Sequence, residues 1–144
     1  MTSAMPPSPP RLEAGVVWAI GAALGALLAY AGFVKLLAPG EFATEISNYR
    51  FLPELAPYLA AMIPGVELAL GLTLIAGPVT WRRSAALAAL PLLLAFTIAV
   101  GQALFRNINI ACGCFAKASS TISGLTLLRN LGLLAAALLV ARGR

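Results

Sequence analysis

Residues 14–37 read AGVVWAIGAALGALLAYAGFVKLL, an apolar run whose single charge, Lys35, stands close to its end. A helix rising ~1.5 Å per residue needs roughly 20 such residues to cross a hydrocarbon layer, and this run has them without interruption. It lacks the order of a secretory signal, a basic start, a short apolar core and a small-residue cleavage site, and so reads as a retained signal anchor. Three further stretches of the same kind follow at 57–79, 84–105 and 122–141. The expected fold is an all-α membrane protein, an antiparallel bundle of four transmembrane helices with a Cys-Gly-Cys loop before the last helix. Residues 14–144 form this one domain; residues 1–13, rich in proline with Ser and Thr, read as a disordered cytoplasmic tail.

Composition agrees with a lipid solvent. Of the 144 residues, 60% are hydrophobic and 10% charged, with a mean hydropathy of +0.91, whereas a soluble domain carries roughly 25% charge. A soluble chain of this length builds one modest core and cannot hide so much apolar surface. The net charge of +5 does not point to nucleic acid, because the cations are scattered singly at helix ends, with neither a basic stripe nor stacking aromatics. Histidine is absent, which removes the most common transition-metal ligand and the usual base near neutral pH. No metal site is expected, and chemistry falls to Cys, Glu, Lys, Arg or a bound cofactor.

The connections differ in kind. Residues 38–56 are polar, with Pro39-Gly40 as a helix stop and amphipathic character in Phe42, Ile46, Tyr49, Phe51 and Leu52 that suits the membrane interface. The second connection is expected at Thr80-Trp81-Arg82-Arg83, a tight turn. The third, residues 106–121, holds both cysteines. With four spans the termini share a side. Arg11, Arg82, Arg83, Arg142 and Arg144 lie there, against Arg50, Arg106 and Lys117 opposite, so the positive-inside rule places the termini in the cytoplasm. The Cys-Gly-Cys loop is then extracytoplasmic, where disulfides persist. Within the first span, Gly21-x-x-x-Gly25 followed by Ala29 permits close helix approach, either inside the bundle or between copies in an oligomer.

Cys112 and Cys114, in Asn109-Ile110-Ala111-Cys112-Gly113-Cys114-Phe115, are the candidate catalytic residues. A ring this small closes only if the intervening backbone bends tightly, which Gly113 allows, and the bond should be strained. A strained, accessible disulfide is readily exchanged, and so short a loop removes little unfolded-state entropy, which makes it a poor staple. Lys117 and Arg106 nearby favour the thiolate. Two other readings stay open: a static bridge closing a turn, and incidental thiols or a soft-metal pair for Cu(I).

Ionisable groups inside the spans form the second constellation, since such groups are costly in lipid. Glu67 and Arg129 fall some 10 to 15 Å below the same surface by helical rise and could pair. Lys35 reaches that layer by bending inward, or snorkels outward; Arg106 caps the outer end of the third span. One reading is a structural ion pair. The other is a polar pocket in which Lys35, Glu67, Arg106 and Arg129 hold a quinone, with Tyr30, Asn48, Tyr49, Gln102 and Asn130 adding polar contacts.

With these residues in view the chain resembles the MauE branch of the DoxX-like membrane proteins. The resemblance covers nearly everything after the proline-rich tail and rests on three segments. These are Gly32-Phe33-Val34-Lys35-Leu36 with Pro39 and Phe42; Pro64-Gly65-Val66-Glu67-Leu68-Ala69-Leu70-Gly71; and Cys112-Gly113-Cys114-Phe115 followed by Leu128-Arg129-Asn130. The sequence departs from the commoner pattern at Ala116, where Gly usually follows Phe. The resemblance implies a four-helix protein tied to periplasmic thiol-disulfide chemistry, linked to disulfide formation in methylamine dehydrogenase beside a thioredoxin-like partner. DoxX relatives imply quinone-dependent oxidation of thiosulfate. The expected function is a membrane thiol-disulfide oxidoreductase that passes electrons between a periplasmic thioredoxin-like protein or disulfide-bearing client and a membrane quinone. The alternatives are a non-catalytic subunit that anchors or assembles a periplasmic enzyme or larger complex, and a small transporter lined by the intramembrane charges.

Overall fold

The computed structural model describes residues 11–50, 53–106 and 124–142, with backbone alone at 11–13. Every regular element among them is helical: α1 (Arg11–Leu37), α2 (Pro39–Asn48), a single 3-10 turn (Pro53–Leu55), α3 (Ala56–Ala76), α4 (Val79–Phe105) and α5 (Gly124–Arg142). Among the described residues, four segments are long and apolar enough to cross a membrane: Ala14–Leu37, Pro53–Ala76, Val79–Phe105 and Gly124–Arg142. Side chains are distributed as lipid demands. Trp18, Phe33, Leu72, Ile98 and Phe105 are exposed, while Lys35, Glu67, Arg82, Thr97, Thr126 and Asn130 are buried.

Proline sets the first break. The residue before a proline avoids the α region, and Ala38 accordingly lies at φ −139°, ψ 64°. Pro39 then occupies the first turn of α2, where its fixed φ suits the helix and its missing N–H costs nothing. One residue pair thus ends α1 and starts α2. Phe42 and Tyr49, two turns apart on one face, are buried, and α2 packs on α3.

The most extensive helix contact joins α1 to α3. A Cβ placed on Gly71 would stand 2.5 Å from the Ala29 nitrogen and 2.6 Å from the Gly25 carbonyl oxygen, and one on Gly32 would stand 2.6 Å from the Pro64 oxygen. Backbone therefore lies on backbone, as small residues allow in lipid, where dispersion rather than hydrophobic collapse drives association. The Gly21-x-x-x-Gly25 stripe with Ala29 is used inside the chain: Gly21 faces Arg82, and Gly25 and Ala29 face α3. Leu24, Leu28, Leu74, Ala86, Ala89, Leu93 and Ala137 fill the core between α1, α3, α4 and α5.

The second connection differs from expectation. It is Gly77-Pro78, and Thr80-Trp81-Arg82-Arg83 lies within the start of α4. Pro78 is the extended N-cap, and its carbonyl accepts from the Arg82 N–H at 2.9 Å to close the first helical turn. The Gly-Pro stop was the governing signal, and the charged residues beyond it are compatible with a helix start.

Gly65 tests the packing claim as an internal control, because nothing lies within 4 Å of an added Cβ there. Gly71→Ala is expected to destabilise the detergent-solubilised protein by ~1–3 kcal/mol through overpacking. Gly65→Ala, in the same helix, should change stability by no more than ~0.5 kcal/mol, both read by thermal unfolding.

Candidate functional site

Gly32 lies against the backbone of Pro64 and Leu68, so one helical turn later the Lys35 side chain is held alongside α3. There its ammonium donates to both Oε1 and Oε2 of Glu67, each at 2.8 Å. The two residues are 1% and 3% exposed. The rings of Phe42 and Phe96 flank the ammonium, their centroids 4.9 and 4.8 Å from Nζ. One cation thereby gathers side chains from α1, α2, α3 and α4. A desolvated cation over an aromatic face gains about 2 kcal/mol or more, which helps offset removing both charges from water.

Two cavities adjoin this cluster and share Phe96. The larger, about 320 Å³, is walled by Phe42, Ile46, Ile63, Leu92 and Phe96, with Gln102 as its polar member. Gln102 Nε2 donates to the Tyr49 carbonyl at 3.2 Å. The smaller, about 30 Å³, is lined by Glu67, Leu28, Leu93, Phe96 and Asn130. Asn130 is 3% exposed, and among the described residues its Nδ2 has no hydrogen-bond partner. Such a donor costs roughly 1–3 kcal/mol if left unmet, and this space exceeds the ~10–15 Å³ that one water needs, so a water placed there could accept from it.

The structure thus brings Lys35 and Glu67 together and chooses the inward course for Lys35. Arg129 is half-buried on α5 beside Asn130. Arg106 is exposed at the C-cap of α4 and takes no part in the ion pair. Cys112, Cys114 and Lys117 lie outside the described residues. Two contributors were not foreseen as such. Phe96 is one apolar residue among many in α4, and no periodicity sets it apart. Arg82, read from sequence as a loop cation, is instead 8% exposed: its Nε donates to the Leu74 carbonyl at 2.7 Å and its Nη2 to the Trp18 carbonyl at 2.9 Å. The reason is Pro78. Leu74 would accept from the N–H four residues on, and proline has none, so the guanidinium supplies that donor.

The sequence model of a family described as Methylamine utilisation protein MauE matches residues 13–143. The methylamine utilization protein MauE of Paracoccus denitrificans is 37% identical over 130 residues, a match covering 89% of this chain and 69% of that protein. The protein of the same description from Methylophilus methylotrophus is 34% identical over 119 residues, covering 80% of this chain and 62% of that one. The chain therefore spans only about two thirds of the length of these relatives. No solved structure matches.

Removing one member of the buried ion pair leaves the other uncompensated. Lys35→Met and Glu67→Leu are each expected to destabilise the protein by ~3–5 kcal/mol, and the double variant by much less than their sum. Chemical unfolding in mixed micelles measures this; strict additivity would show that the charges do not depend on one another.

Proposed function

The chain belongs to the MauE family, and from that premise we propose that it is a membrane protein of methylamine utilisation acting as a thiol-disulfide oxidoreductase through Cys112 and Cys114. In this reading the four spans form an antiparallel bundle in a bacterial inner membrane, with cytoplasmic termini and the cysteines outside. Two observations support that arrangement. Gly32 meets residues 64–68 while Gly25 meets 71–75, and the arginines cluster on the side assigned to the termini.

The observation that carries the proposal is the place of the cysteines in the chain. They fall between Phe105, the end of α4, and Gly124, the start of α5. At ~1.5 Å per residue, Phe96 and Asn130 lie about 9 to 14 Å in from those two helix ends. The segment that carries the thiols therefore starts and ends at the same end of the bundle as the ion pair and both cavities.

A thiolate of a thioredoxin-like partner or client attacks one sulfur of the Cys112–Cys114 disulfide. That bond breaks as a mixed disulfide forms, and the partner's second thiolate then displaces the cysteine. The partner leaves oxidised, and Cys112 and Cys114 hold the two electrons and two protons. Arg106, exposed at the end of α4, favours the thiolate form. A bound quinone would supply the two-electron, two-proton acceptor that restores the disulfide. The residues fit such a group. The cavity of about 320 Å³ is apolar apart from Gln102 and would take the group, with the Lys35–Glu67 pair behind Phe96; Asn130 lines the separate small cavity, and Arg106 and Arg129 are further cations of that half of the bundle.

Alkylation and mass spectrometry of protein poised in glutathione redox buffers should show Cys112 and Cys114 interconverting between dithiol and disulfide within the accessible range. A pair that stays wholly oxidised or wholly reduced would sink the redox reading. Cys112→Ser should abolish thiol-dependent quinone reduction; full activity with both cysteines replaced by Ser would instead identify an assembly subunit.

A further inference from the structure

The end of the bundle where α1 and α4 begin and α3 ends carries a polar feature that the thiol chemistry does not use. Arg82 is buried, always charged, and paired there with two carbonyl oxygens and the Trp18 ring, 5.4 Å from its centroid to Cζ. Among the described residues no carboxylate forms an ion pair with it, and its Nη1 donates to no protein atom. Carbonyl dipoles do not neutralise a buried cation, and the desolvation cost remains partly unmet.

Arg82 lines a cavity of about 120 Å³ together with Trp18, Val79, Arg83 and Val140. This volume is several times the ~10–15 Å³ that one water needs. The first N–H groups of the 27-residue helix α4, at residues 79–81, add the positive end of a helix dipole beside the two guanidinium groups. The surroundings are apolar and face outward: Trp18, Val79 and Trp81 are 56, 72 and 65% exposed. Both tryptophans of the chain therefore stand at this level, the position they take at a membrane interface.

From this we infer that the cavity binds the phosphate of an anionic phospholipid, with Arg82 and Arg83 on its oxygens and the acyl chains along the exposed Val79 and tryptophan surface. Guanidinium matches phosphate through paired, planar N–H donors. An inorganic phosphate ion offers the same oxygens. The apolar, outward-facing surround favours the lipid, and zwitterionic lipids bring an ammonium that two arginines repel.

Native mass spectrometry of the full chain, released from micelles containing equimolar phosphatidylglycerol and phosphatidylcholine, tests this. The wild-type protein should retain phosphatidylglycerol more than about tenfold over phosphatidylcholine. Arg83→Gln, at an exposed position, should lower that preference about fivefold without loss of fold, and Arg82→Gln should remove it. Glu13→Gln, which deletes the one acidic residue among the first forty, should leave the preference intact or raise it. Equal retention of the two lipids by the wild type, or a preference unchanged in Arg83→Gln, would overturn the proposal. So would a rise in melting temperature with millimolar inorganic phosphate at constant ionic strength without selective lipid retention.

Discussion

Two opposite charges, Lys35 and Glu67, meet at 2.8 Å in the buried interior, and the neighbouring packing is arranged around them. An ammonium so placed is tolerable only if its carboxylate arrives with it, which requires α1 and α3 to approach within side-chain reach at one register. The glycines at 25, 32 and 71 permit that approach by letting backbone touch backbone. Phe42 and Phe96 close the remaining sides, and this fixes where the short helix α2 folds back and which face of α4 turns inward. Charge thus specifies which contacts form, while dispersion between small residues supplies much of their energy.

How far this was legible in the sequence follows from which rules have a local signature. The four spans could be read because length and unbroken hydropathy decide them within each segment. Glu67 and Lys35 stood out because ionised groups are rare at such depth. Their partnership was one of several arrangements, since Lys35 could snorkel outward and Arg129 stood at a similar depth; the close approach at Gly32 selects it. Phe96 carried no mark, because in a helix apolar on every side the inward face has no period to reveal it. Arg82 was misplaced for a different reason. The positive-inside rule treats an arginine near a span end as solvated, and it does not register a proline that leaves the preceding helix one donor short.

The two ends of the bundle are therefore built on different electrostatics. At one, where α4 ends and α5 begins, a cation and an anion neutralise each other beside an apolar cavity and an amide donor unmet among the described residues. At the other, two arginines face a cavity with no described carboxylate to balance them. In the functional reading advanced above, the first end handles electrons and the second handles the bilayer.

The bond from Arg82 to the Leu74 carbonyl also bears on how the chain is made. As α3 emerges from the ribosome its last turn lacks a donor, and the one it needs lies eight residues downstream, beyond the Gly77-Pro78 corner. Entering the bilayer alone, α3 would carry a bare carbonyl into a medium that charges several kcal/mol for it. Entering with α4 already folded back, it has that carbonyl met by Arg82. The two helices are therefore best suited to leave the insertion machinery together, as a hairpin, with Arg82 as the clasp.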